Sequence, residues 1–112
     1  MSLNYTMLSG HLPQNSELRY TVSGKPVLEF MLTLQDDHPD TEPNQVHAVA
    51  RKEKLTSMQF QLKKGTYVLI EGQLRNRTLE AHHKGFRKKQ LEINLDTITI
   101  LEHSQTSSER KI

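Results

Sequence analysis

The stretch EKLTSMQFQLKKGTYVLIEGQLRNRTL, residues 53–79, changes rhythm half-way, and that change decides the fold. In its first part Leu55, Met58 and Leu62 fall at i, i+3 and i+7, and Gly65 stands where a helix C-cap would, so the spacing predicts a helix over Glu53–Lys64. In its second part the period drops to two. Val68, Ile70 and Leu74, with Gly72 among them, are expected inside, and Leu69, Glu71, Gln73, Arg75 and Arg77 outside, which predicts a strand over Thr66–Leu79.

Upstream of this junction everything reads as strand. Leu3–Leu12 alternates Leu8, Gly10 and Leu12 with Met7, Ser9 and His11. Pro13, Asn15 and Ser16 interrupt it, and Leu18–Val22 resumes it. Ser23-Gly24-Lys25-Pro26 is a turn signal and places a hairpin at Gly24. Val27–Gln35 sends Leu28, Phe30, Leu32 and Leu34 to one face and Glu29, Met31, Thr33 and Gln35 to the other. A loop over Asp36–Asn44 holds two prolines and four acids, and Gln45–Lys52 follows as a strand with His47, Val49 and Arg51 outward. Downstream, Glu80–Arg87 reads as a loop around Gly85 and Lys88–Glu102 as the last strand. The apolar phase there shifts between Leu91, Ile93, Leu95 and Ile98, Ile100, which predicts a bulge near Asp96 or Thr97. Five strands with one short helix between the third and fourth is the order of an all-β OB-fold, a Greek-key barrel. Residues 1–102 form the expected domain, and the polar segment 103–112 is expected to be a disordered tail.

Charge is distributed unevenly. Residues 1–50 carry Arg19 and Lys25 against six acids, a net of −4, whereas residues 51–112 carry thirteen basic residues against seven acidic, a net of +6. A positive second half points to a polyanionic partner. The absence of cysteine suits a reducing cytoplasm and removes thiol nucleophiles and Cys-ligated zinc. The start of the chain reads as neither a secretory signal nor a membrane span, so a soluble, cytoplasmic protein without membrane association is expected.

At this point the chain resembles the bacterial single-stranded DNA-binding protein family, including its primosomal replication protein N branch. The carriers are Leu18-Arg19-Tyr20, Ser23-Gly24-Lys25-Pro26, Phe30-Met31-Leu32, the run from Leu62 through Tyr67-Val68 and Ile70-Glu71-Gly72-Gln73-Leu74-Arg75-Asn76-Arg77, and Leu91-Glu92-Ile93 before Ile98 and Ile100-Leu101. The resemblance implies a protein of replication, replication restart or recombination that binds single-stranded DNA, or RNA, as a homodimer or homotetramer and in company with replication-restart proteins. The places where family members stack bases on aromatics look like Val46, Lys52 and Leu79, and tryptophan is absent. The acidic, phenylalanine-ended tip of the family is not matched by Ser108–Ile112, so recruitment of partners by that route is not expected.

Single-strand binding combines a cationic groove with aromatic platforms, and this chain is rich in the first and poor in the second. The expected site is Lys52, Lys54, Arg75, Arg77, Lys84, Phe86, Arg87, Lys88 and Lys89, with Arg19 and Lys25 as contributors. Arg75 and Arg77 rank first because they alternate onto one face and guanidinium pairs bidentately with phosphate. Phe86, at the tip of the basic hairpin, is the stacking candidate; Tyr20 and Tyr67 read as structural, and Phe30 and Phe60 as core. Met31 and Val49, outward and apolar, are candidates for contact between copies, and His47 for packing or subunit contact.

No cofactor or metal is expected. His82 and His83 are adjacent and point apart on an extended chain, and the calcium-like start Asp36, His38, Asp40 meets Thr41 and His47 where glycine and glutamate are needed. No nucleophile elbow, phosphate-binding glycine loop or carboxylate pair appears, so the chain is not expected to be an enzyme. The competing reading is an OB-fold assembly module of the replication or primosome machinery with weak nucleic-acid binding.

Overall fold

A computed structural model of the chain describes residues 2–34, 43–81 and 86–104, with the backbone alone along 78–81 and 86–89. Alternating apolar residues with short polar interruptions produce six strands: β1 Thr6–His11, β2 Glu17–Tyr20, β3 Pro26–Leu34, β4 Asn44–Ala50, β5 Tyr67–Ala81 and β6 Phe86–Glu102. A one-turn helix, α1 Glu53–Thr56, and a 3₁₀ turn at Gln59–Gln61 lie between β4 and β5. The strand order is β1-β5-β6-β4-β3-β2, and a further β1–β3 pairing closes the sheet on itself.

The six strands amount to the five expected, because β1 and β2 are halves of one interrupted strand. Both pair antiparallel with β3, β1 through Gly10 and His11 and β2 through Glu17–Tyr20. At the break, proline cannot donate to a ladder, and the freed backbone turns to the segment before β5. Leu12 N–H donates to Thr66 O at 3.0 Å, Gly65 N–H to Leu12 O at 2.8 Å and Ser16 N–H to Leu62 O at 2.9 Å. The core inside the barrel is aliphatic apart from Phe30 and is built from Leu12, Leu28, Leu32, Ala48, Leu55, Leu62, Val68, Ile70, Ile93 and Leu95 among others. The expected bulge is present: Glu71 pairs with Thr97 and Gly72 with Leu95, so Asp96 is the extra residue.

Several side chains lie elsewhere than their alternation indicated. Leu74 is 43% exposed because β1 ends opposite Gly72, and beyond that point β6 is the only strand beside β5 among the described residues. Instead the Asn4 side chain brackets the Leu74 backbone, donating to its O and accepting from its N–H, both at 2.9 Å. Leu91, further along the same ribbon, is 63% exposed. Val49 faces outward as expected, yet is 2% exposed, because β4 is central and Glu29 and Asn94 flank it in register.

The predicted helix over Glu53–Lys64 is broken. Thr56 and Ser57 hydroxyls bond the carbonyls of Glu53 and Lys54, and the chain then tightens into the 3₁₀ turn. Leu55, Met58 and Leu62 still pack on the core, but Phe60 on the opposite side is 77% exposed, with the Lys63 ammonium 5.6 Å from its ring centroid. The loop expected over Glu80–Arg87 is shorter, since Glu80, Ala81, Phe86 and Arg87 belong to the β5–β6 ladder. Residues 35–42, 82–85 and 105–112 lie outside the described residues, and with them the acidic loop beyond Leu34, Lys84 and most of the expected tail.

Closure requires two close approaches. A Cβ on Gly10 would lie 2.3 Å from Thr33 O, and one on Gly72 would lie 2.1 Å from Asn94 O. The obstacle is backbone in both cases, so neither can move aside without opening the sheet. Gly72→Ala is therefore expected to destabilise the fold by about 1–3 kcal/mol, read as a lower urea midpoint; an unchanged midpoint would show that the approach is not required.

Candidate nucleic-acid interface

Because cross-strand partners share a face, the register defines one continuous outer surface across β2, β3, β4, β6 and β5. It carries Glu17 and Arg19, then Val27, Glu29 and Met31, then His47, Val49 and Arg51, then Gln90, Glu92 and Asn94, and finally Gln73, Arg75 and Arg77. A groove of about 600 Å³ runs over this surface, with Val27 and Val49 in its lining and Arg19, Arg51, Arg75 and Arg77 around it. Tyr20, 66% exposed, also lines it, with Asn76 and Asn94.

Two carboxylates are buried within this face. Glu29 is paired with Arg19, accepts from Arg77 Nη1 at 3.2 Å and meets His47 Nε2 at 2.8 Å. Glu92 lies 3.9 Å from Arg77 Nη1 and 3.7 Å from His47 Nδ1. A desolvated carboxylate is costly without partners; Glu29 has Arg19, Arg77 and His47 within reach, and Glu92 has the Arg77 guanidinium as its charge partner. Burial holds the His47 imidazole below its ordinary value, reinforced by Arg77 and Arg19 and opposed by Glu92. His47 is accordingly neutral near pH 7. Its Nε2–H donates to Glu29, and Nδ1, 3.2 Å from Arg77 Nη1, is left as the acceptor.

The other cations differ in their commitments. Arg51 donates to Asn94 Oδ1 at 3.2 Å, a neutral partner. Arg75 stands opposite Glu92 in the ladder but forms no ion pair or hydrogen bond among the described residues. Lys52 is 2.9 Å from Asp96 Oδ1 and is not in the groove lining; Lys52 and Gln73 together hold the Asp96 carboxyl below its usual range. Lys54, on α1, is exposed and also away from the lining.

Of the residues expected from sequence, Arg75 and Arg77 come together in the groove with Arg19 as the contributor. Phe86, Arg87, Lys88 and Lys89 lie on β6 opposite Ala81, Glu80, Leu79 and Thr78, so Phe86 is on a strand and not at a loop tip. Arg51, Tyr20 and Asn94 were not anticipated as groove residues. Alternation along the expected strand Gln45–Lys52 points Arg51 outward and Lys52 to the other side; β4 itself ends at Ala50, just before both. Tyr67, expected to be structural, has its ring 5.5 Å from that of His11.

A closed Greek-key barrel with a short helix before its fourth strand defines an OB-fold, here with an arginine-lined outer strand face. A model of the single-strand binding protein family matches residues 3–101. The chain belongs to that family. Similar proteins include single-stranded DNA-binding protein 1 of Chlorobaculum tepidum, 36% identical over 97 residues, covering 81% of this chain and 60% of the relative. The single-stranded DNA-binding protein of Borreliella burgdorferi is 29% identical over 101 residues, covering 86% of this chain and 68% of the relative. The chain thus spans well under the full length of these relatives. A Plasmodium falciparum SSB solved in complex with ssDNA superposes with a TM-score of 0.75 over 91% of this chain and 97% of that one, at 21% identity, and shares the fold.

The depressed His47 pKa has a consequence for stability. Below the ordinary value of 6.5 the unfolded chain binds a proton that the folded chain refuses, so stability falls as pH drops through 6.5 towards the folded value and is flat above it. The urea midpoint of the protein is expected to fall between about pH 7.5 and about pH 5.5, and that of His47→Gln to fall less. Equal slopes would show that His47 is not a source of the acid sensitivity.

Proposed function

We propose that the chain binds single-stranded DNA without catalysis and with little sequence preference, in replication, replication restart or recombination, along the outer face of β2, β3, β4, β6 and β5. The observation that carries this reading is the groove lined by Arg19, Arg51, Arg75 and Arg77, in a member of a family whose named relatives bind single-stranded DNA. Guanidinium groups pair with phosphate and also stack on bases. Tyr20, exposed at the groove, offers one aromatic platform. Lys84, Phe86, Arg87, Lys88 and Lys89 of the basic segment between β5 and β6 are proposed to add to the site, while Lys52 and Lys54 add positive field from the β4–α1 corner. No helix among the described residues is long and apolar enough to cross a membrane, and the working compartment is the bacterial cytoplasm, where the DNA is.

Binding is expected to weaken with salt at a slope of about −0.7 in log K per phosphate neutralised. Arg75→Gln should flatten that slope by about 0.7, and joint replacement of Lys84, Lys88 and Lys89 by alanine should weaken binding to all sequences alike. Fluorescence titration of labelled oligo-dT reads both, with the strand recovered intact. A flat salt response in the unaltered protein would overturn the reading.

The chain is further proposed to act as a homodimer or homotetramer. Thr6–Ser9 of β1 pair with β5 on one side only, and Leu3, Tyr5 and Met7 are exposed along this edge. Light scattering should return the mass of two or four copies; a monomer would contradict this. A second reading, an assembly module of the primosome with weak DNA affinity, is favoured by the carboxylates Glu17, Glu29 and Glu92, which nearly balance the four arginines of the face. Oligo-dT binding that appears only with a replication-restart protein present would select it.

A further inference from the structure

The four groove arginines are not equivalent. Arg19 and Arg77 both end on the Glu29 carboxylate, which lies buried between them. Arg51 has only the neutral Asn94 amide, and Arg75 has no ion-pair partner among the described residues. Each of these guanidiniums meets Glu29 through one nitrogen and keeps other N–H donors, but its charge is already balanced by the carboxylate, so a phosphate gains less from it than from an unpaired arginine, and pulling it away would leave a buried carboxylate alone, which is strongly unfavourable.

We propose that Glu29 is a positioning residue that decides which arginines a nucleic-acid backbone meets: it occupies Arg19 and Arg77 in the manner of an internal phosphate, leaving Arg51 and Arg75 as the phosphate ligands. This rests on the reading of the same face as the single-strand binding surface. Glu29 reaches both arginines from the centre of the face. It sits on β3 with Arg19 on the neighbouring β2, and Arg77 approaches from β5 across His47 on β4. His47 supports the clamp from below. Its Nε2–H donates to the same Glu29 oxygen, Oε1, that accepts from Arg77. Glu92, 3.9 Å from Arg77 Nη1, keeps that guanidinium inside the face. The clamp limits the number of counterions released on binding, because only cations that take up phosphate contribute to the salt slope.

Glu17 provides the control. It is the register partner of Glu29 on the same face and carries the same charge, but it is exposed and holds no arginine among the described residues. The test measures the slope of log K against log salt for oligo-dT with the unaltered protein, Glu29→Gln and Glu17→Gln, each checked for folding by circular dichroism. Releasing two arginines should steepen the slope by about 1.4 in Glu29→Gln, at about 0.7 per phosphate, whereas Glu17→Gln, which changes the field by the same single charge, should leave the slope near its starting value. Equal effects of the two replacements would overturn the clamp while leaving single-strand binding in place; absence of salt-dependent binding in the unaltered protein would overturn both. Should Glu29→Gln fail to fold, Glu29→Asp keeps the charge and withdraws the carboxylate by one methylene. Steepening in that variant supports the clamp, and an unchanged slope overturns it.

Discussion

The parallel pairing of β4 with β6, only His47–Glu92, Ala48–Ile93 and Val49–Asn94 in length, is the join on which the remaining structure depends. Every other neighbour in the sheet is antiparallel. Its middle pair, Ala48 and Ile93, faces the core. The outer pairs face the groove, bringing His47 against Glu92 and Val49 against Asn94. One short ladder thus joins the β1-β5-β6 side of the sheet to the β4-β3-β2 side and assembles the charged floor of the outer face.

The inside and the outside of this wall follow different physics. Inside, a mostly aliphatic core with Phe30 as its only aromatic among the described residues is held by burial of branched side chains, and the backbone must come close enough at Gly10 and Gly72 for the ring to shut. Outside, two buried carboxylates are tolerated because arginines and a neutral histidine surround them. That arrangement makes the face nearly neutral overall while leaving Arg51 and Arg75 projecting into the groove. Affinity for a polyanion then depends on which cations are uncommitted, more than on how many the face contains.

Much of this was legible in the chain. The two-residue period placed Leu28, Phe30 and Leu32 inside and Glu29 outside, and the phase shift located the bulge near Asp96 or Thr97, of which Asp96 is the extra residue. Local patterning could not show that β1 ends opposite Gly72, so Leu74 and Leu91 fall on the apolar phase although they lie on the part of the β5–β6 ribbon that β1 does not reach. Nor could it show that Glu29, outward by parity, is enclosed by partners from β2, β4 and β5, since those contacts join residues up to 48 positions apart. The sequence ranked Arg75 and Arg77 first with the hairpin lysines beside them and pointed Arg51 outward, but only the folded groove reveals Arg51 and Tyr20 together with Arg75. Lys52, expected in the site, lies just beyond β4 and pairs with Asp96, whereas its neighbour Arg51 holds the groove position.

The most direct test of the account is an NMR titration of the isotope-labelled protein with unlabelled oligo-dT, following backbone amides and arginine Nε–H groups. Shifts concentrated on Tyr20, Val49, Arg51, Arg75, Asn76 and Asn94, with Tyr5, Met7 and Phe60 unmoved, are the predicted result. Shifts centred on the β1 edge or on the 3₁₀ turn, with the groove arginines silent, would contradict it.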